Sequence, residues 1–238
     1  MTAALDILAL AAHRDDVEQT CGGTLLKMAE RGHRTGVLDL TQGEMGTRGT
    51  AEDRAREAED AARILKVSWR RALDMPDGRV ENTWENRLKV AGVLRETRPR
   101  VLILPYWEGR HPDHYTASVL GYEAAFLSGL AKLPIDGVPH RPFKIIYASL
   151  YRDVRPTFVV DITNQFETRF ASLMAYKSQF SDQRAGDGIF PAQAEIRVRV
   201  ESMARFYGMM AGVTYAEPFV QKEMALVDDL VAIPVKSI

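Results

Sequence analysis

The sequence predicts an α/β protein: a Rossmann-like three-layer α/β/α fold with a mainly parallel sheet, forming a single domain over residues 1–238. Three observations lead there. Short, nearly continuous apolar runs such as Ile7-Leu8-Ala9-Leu10-Ala11-Ala12 and Val101-Leu102-Ile103-Leu104 have the texture of strands covered on both faces. The segments between such runs repeat their apolar residues at helical spacing. The short β-α-β interval at the N-terminus implies a right-handed crossover between parallel strands. The chain is long enough to bury a substantial core, and no repeat, low-complexity tract or flexible linker divides it.

Taken in order, residues 5–12 are the expected first strand. Gly22-Gly23-Thr24 then introduces a helix bearing Leu25, Leu26, Met28 and Ala29, which Gly32 ends as a C-cap. Residues 35–40 read as the second strand. Residues 41–49 hold three glycines and no apolar period, a loop on the same rim of the sheet as His13. Thr50-Ala51-Glu52-Asp53 resembles a capping box opening a helix to about residue 65. Residues 71–75 read as a short strand closed by Pro76-Asp77-Gly78, 86–97 as a helix stopped by Pro99, and 101–104 as a strand. A helix over 115–130 follows, then strands over 143–150 and 157–162 and a helix over 166–176. Residues 181–188 are expected to be a mobile polar loop and 194–210 a helix, after which Tyr215-Ala216-Glu217-Pro218-Phe219 begins an extended tail.

Composition excludes several classes. A formal net charge of −1 offers no basic stripe for nucleic acid or an anionic membrane. No apolar run approaches the roughly 18 residues of a transmembrane helix. Met1-Thr2-Ala3-Ala4 passes straight into strand-like sequence, so no signal peptide is expected. A lone cysteine, Cys21, forms no intrachain disulfide, and a cytoplasmic location is expected.

Chemistry concentrates beyond two strand ends, where ligands sit in open α/β sheets. The first strand runs into His13-Arg14-Asp15-Asp16, and the strand at 101–104 is soon followed by Arg110-His111-Pro112-Asp113-His114. Two imidazoles and one carboxylate, His13, His114 and Asp16, suit Zn²⁺ and leave a position for water. The same set suits Fe²⁺. Asp15 is the natural general base for that water. His111 would stabilise the oxyanion as imidazolium and then protonate a departing amine, with Asp113 orienting His111 and holding it charged. Such a division of labour fits hydrolysis of an amide. Other features read as structural. Cys21 lacks an adjacent base, Gly22-Gly23 lacks the G-x-G-x-x-G pattern, Glu18 reads as a hydrogen-bonding partner, and His33 and His140 as surface residues.

These residues resemble the PIG-L/LmbE-type zinc N-deacetylases, whose signature is His-Pro-Asp-Asp near the N-terminus and a later His-x-x-His. The resemblance is closest to the N-acetylglucosaminyl-malate deacetylases of bacillithiol biosynthesis. It runs through residues 39–50, 110–114, Val160-Asp161-Ile162, Ala175-Tyr176-Lys177-Ser178-Gln179-Phe180 and 215–219, nearly the whole chain. It implies zinc on His13, Asp16 and His114, with Asp15 as base and His111 as acid or oxyanion stabiliser. It also places Arg54 and Arg110 near the acidic part of the substrate, with Arg48 a further candidate, since guanidinium grips carboxylate bidentately. Arg14 stands where the family has proline: it either lowers the pKa of Asp15 or points outward without effect. The active-site tyrosine of the mycothiol-type branch is not carried over, since Glu108-Gly109-Arg110 occupies that neighbourhood.

The expected activity is removal of an N-acetyl group from a GlcNAc-containing small molecule, N-acetylglucosaminyl-malate first. Another N-acylated sugar, such as a chitooligosaccharide or a sugar-thiol conjugate, is the alternative, and a non-catalytic sugar-binding protein the third reading. The resemblance further implies a homo-oligomer, trimer or hexamer, for which Phe206, Tyr207, Met209 and Met210 are either interface or core.

Overall fold

The computed structural model describes residues 4–150, 152–181 and 192–235. At its centre lies β1 (Ile7–Ala11), every residue of which is buried, paired in parallel with β2 (Thr35–Asp39) on one side and β4 (Val101–Pro105) on the other. β3 (Trp69–Ala72) adds outside β2, and β5 (Lys144–Ala148) outside β4, both in parallel. β6 (Phe158–Asp161) and β7 (Ala216–Val220) complete a seven-stranded sheet of order β3-β2-β1-β4-β5-β7-β6. The α/β class and the mainly parallel sheet are as expected.

Strand alternation sorts β1 into two cores. Leu8 and Leu10 join Leu102 and Leu104 beneath α4 (Trp84–Thr97) and α5 (Pro112–Ser128). Ile7, Ala9 and Ala11 face Val17, Cys21 and Leu25, carried by α1 (Asp16–Thr20), α2 (Gly22–Glu30) and the residue between them. Helices therefore cover both faces, and the strand ends that open at the rim are rigidly held. Gly121 brings α5 close to the sheet: a Cβ there would lie 2.4 Å from Leu104 Cδ2. The capping box at the start of α3 (Ala51–Ile64) is present, with Thr50 Oγ1 accepting from Asp53 N–H and the Asp53 carboxylate accepting from Thr50 N–H.

Three local expectations change. β3 begins at Trp69, not residue 71, because Trp69 and Arg70 complete the ladder against Gly36 and Val37. α5 begins at Pro112 rather than Tyr115, with His111 as its cap and proline at a first-turn position where its missing N–H costs nothing. The expected tail at 215–219 is instead largely strand: β7 lies between β5 and β6, antiparallel to both, with Ala216 and Phe219 buried. Of the polar stretch 181–188, residues 182–188 lie outside the described residues. No helix among the described residues is long and apolar enough to cross a membrane.

Candidate metal centre and active site

The turn after β1 closes on itself, with His13 N–H donating to Asp16 Oδ2 at 2.9 Å. Opposite it, the first turn of α5 presents His114. The three expected ligands converge: His13 Nδ1 lies 3.1 Å from His114 Nε2, His114 Nε2 3.2 Å from Asp16 Oδ1, and His13 Nδ1 3.6 Å from Asp16 Oδ2. Donors held at about 2.0–2.1 Å around a tetrahedral cation would stand about 3.3 Å apart. Asp16 turns one oxygen toward each histidine, and one ligand atom from each of His13, Asp16 and His114 lies within 4.8 Å of the others, so this donor set fits a divalent metal.

The remote nitrogen of His13 is fixed by two carboxylates. His13 Nε2 faces Asp77 Oδ1 at 3.1 Å and Asp113 Oδ2 at 3.3 Å. A proton held there leaves Nδ1 free to ligate, the usual support for a metal-bound histidine. Burial disfavours the charged ring, but Asp16, Asp113 and Asp77 outweigh it and push the His13 pKa up to about 12. Burial likewise works against charge on His114 and Asp16; their mutual attraction nevertheless raises the histidine and, aided by His13, lowers the carboxylate. The geometry concentrates negative charge where a cation would sit.

Asp113 was expected on His111. The structure instead turns its carboxylate away, to accept from Gly78 N–H at 2.8 Å and Val80 N–H at 3.1 Å while facing His13. The hydrogen bond between His111 and Asp113 runs through the backbone, His111 Nδ1 accepting Asp113 N–H at 3.2 Å, which leaves Nε2 to carry the proton of the neutral ring. Burial and the neighbouring His13 and His114 lower its pKa, the reverse of the expected charged state. The ring remains beside the centre, 4.7 Å from that of His13.

The arginines divide. Arg54 is buried and donates to Asp15 Oδ1 at 3.0 Å, orienting that carboxylate rather than lying open to a substrate. Arg48 is also buried, donating to the carbonyls of Gln179 and Ser181, and so ties the glycine loop to α7 (Lys177–Phe180). Arg110 is exposed and lines, with Asp15, Arg152 and Arg199, a cleft of 990 Å³. Arg14 does not point outward. It is buried, and its Nη1 donates to Ala51 O at 3.0 Å rather than to Asp15, anchoring the turn to the start of α3.

Several supporting residues were given no role of their own by the sequence, Glu18 excepted. Arg70 of β3 pairs with Asp39 through two nitrogens at 2.9 and 3.0 Å, with Glu18 at 2.7 Å, and donates to the Arg14 carbonyl. The Tyr176 hydroxyl donates to that same carbonyl. Glu18 is the structural partner expected of it; burial outweighs Arg70 and raises its pKa to about 7. Glu217 of β7 accepts from Gly23 N–H at 2.9 Å and Thr24 N–H at 2.7 Å, and pairs with Arg169 at 3.1 Å. Asp77 left a clue, as a carboxylate just past a strand on the rim that holds His13.

The model of the PIG-L family, described as GlcNAc-PI de-N-acetylase, matches residues 8–125, a span containing His13, Asp15, Asp16, Asp77, His111, Asp113 and His114. The diacetylchitobiose deacetylase of Thermococcus kodakarensis is 30% identical over 226 residues, which cover 89% of this chain and 80% of that protein. Among solved structures, the conserved protein TT1542 of Thermus thermophilus aligns with a TM-score of 0.86 at 40% identity, over 94% of this chain and 97% of that one. The N,N'-diacetylchitobiose deacetylase of Pyrococcus horikoshii, in complex with its inhibitor MPG, aligns with a TM-score of 0.79 at 27% identity, over 90% and 82%.

Proposed function

The chain belongs to the PIG-L family and is an N-deacetylase; from that premise we propose that it uses one Zn²⁺ to remove the acetyl group of an N-acetylglucosaminide with an acidic aglycone, N-acetylglucosaminyl-malate. The observation that carries the chemistry is the convergence of His13, Asp16 and His114 at 3.1–3.6 Å, with Asp15 beside them on the cleft wall. When bound, the cation supplies Lewis acidity that makes water a nucleophile near neutral pH. Asp15, oriented by Arg54, takes a proton from the attacking water. The water oxygen joins the acetyl carbon, the C–N bond breaks, and acetate leaves. The Nε2–H of neutral His111 donates a hydrogen bond to the developing oxyanion, and Asp15 passes the proton it took from water to the departing amine. Asp113 and Asp77 act through His13, holding its imidazole in the ligating tautomer.

Arg110, exposed on the wall of a cleft that Arg152 and Arg199 also line, supports an anionic aglycone. A second reading, diacetylchitobiose, is favoured by the likeness to the two archaeal deacetylases. Metal-loaded enzyme assayed for acetate on both substrates separates them: comparable turnover without the acidic group removes the malate assignment. The Asp15→Ala variant should keep its zinc and lose turnover, and unchanged turnover would take Asp15 out of the mechanism. Metal analysis of protein purified without added metal distinguishes zinc from iron. We also propose a homo-oligomer, trimer or hexamer. Tyr207 is core, but Phe206, Met209 and Met210 are exposed along α8 (Gln193–Ala211) and support an interface; a monomer in light scattering would refute it.

A further inference from the structure

Beside the large cleft lies a second, much smaller space of 20 Å³. That volume is on the order of one water molecule or one methyl group. Asp16 and His114 form part of its wall, together with Cys21, Ile103 and Ala148. Thr20 and Leu150 line both this cavity and the cleft, so the two spaces meet at those residues. Asp15 stands on the cleft side of that junction, and two of the three metal-binding side chains on the cavity side.

We propose that this cavity receives the methyl of the scissile acyl group and restricts the enzyme to acetyl amides. The inference rests on the deacetylase reading above, because that reading sets the carbonyl at the junction, with Asp15 on one flank and Asp16 and His114 on the other. The sugar then occupies the cleft, and the acyl substituent is left facing the cavity. Its wall suits a methyl. Ile103, Cys21 and Ala148 are buried in the same hydrophobic cluster. The Thr20 hydroxyl is engaged by the Asp16 carbonyl at 2.8 Å, and Glu108, also on the wall, by Arg152 at 2.8 Å. Ile103 and Ala148 belong to neighbouring paired strands, so this wall cannot retreat to admit a longer chain.

The test compares kcat/KM for N-acetyl, N-propionyl and N-butyryl forms of one glucosaminide. One added methylene in an apolar pocket discriminates by about 10- to 200-fold, and the wild-type enzyme should lose at least the lower figure from acetyl to propionyl. Leu150→Ala, which opens the junction, should narrow that ratio by about tenfold. Ile103→Val, removing one methylene from the wall, shifts it in the same direction and serves if Leu150→Ala does not fold. Equal rates for the three acyl groups overturn the proposal, as does an unchanged ratio in folded, metal-loaded variants. Calorimetric titration of zinc-loaded protein with acetate, propionate and butyrate reads the cavity without turnover. Acetate should bind tightest. If no amide is cleaved the deacetylase reading fails, whereas loss of the acetate preference overturns the cavity proposal alone.

Discussion

Replacing Asp113 by alanine tests the metal centre through a residue that need not touch the metal. Its buried carboxylate accepts two backbone N–H groups, at 2.8 and 3.1 Å, and faces His13 Nε2 at 3.3 Å. Losing the partner of a ligating imidazole weakens metal binding by about 10- to 100-fold, or about 1.4–2.7 kcal/mol. Asp77 still faces the same nitrogen at 3.1 Å, so the single variant should stay near the lower figure. The Asp77→Asn, Asp113→Ala double variant should exceed the upper one. The two amide donors left unpaired cost about 1–3 kcal/mol each. At about 2–4 °C per kcal/mol for a chain of this size, Tm should fall by at least ~4 °C. Competition against a chromogenic chelator measures the affinity, and thermal unfolding of the metal-free protein measures the stability. A double variant that has lost stability yet binds zinc with wild-type affinity would refute the claim that these carboxylates orient His13.

Glu217→Ala should destabilise the fold more than substitution of an exposed cleft residue such as Arg110. It leaves the buried Arg169 guanidinium without its carboxylate and two α2 amides without an acceptor; breaking a buried pair costs about 3–5 kcal/mol, and a drop in Tm on the order of 10 °C is expected. The metal-free protein should also lose stability as pH rises. His13 has its pKa raised from 6.5 to about 12 on folding, so its contribution is complete below 6.5 and is lost on the way up to the higher value. Glu18, raised from 4.5 to about 7, loses its contribution by about pH 7, so the slope at alkaline pH belongs to the histidine. Urea unfolding at several alkaline pH values reads the slope, and saturating zinc should abolish it, because a ligated imidazole has no second proton to lose. A flat profile without metal would contradict the carboxylate cluster around His13.

Much of the site was legible in the chain because its determinants are local. The apolar runs at β1 and β4 end beside His13-Arg14-Asp15-Asp16 and shortly before His111-Pro112-Asp113-His114, and parallel strands deliver their ends to one rim. That reasoning reached all three side chains now found within 3.6 Å of one another. The capping box at Thr50 and Asp53 was readable for the same reason, since both partners lie within one helical turn. Tertiary structure decided whatever depended on distant partners. Arg54 turned to Asp15 across 39 positions, Asp113 to His13 across 100, and Glu217 to Thr24 across 193. β7 took its place between β5 and β6 because burial of Ala216, Glu217 and Phe219 against that neighbourhood outweighs any local preference for an extended end. Residue type and spacing determine which groups can ligate a cation or carry a proton. Which carboxylate a buried guanidinium or imidazole meets is settled only by packing, where the cost of leaving a charge unpaired selects the partner.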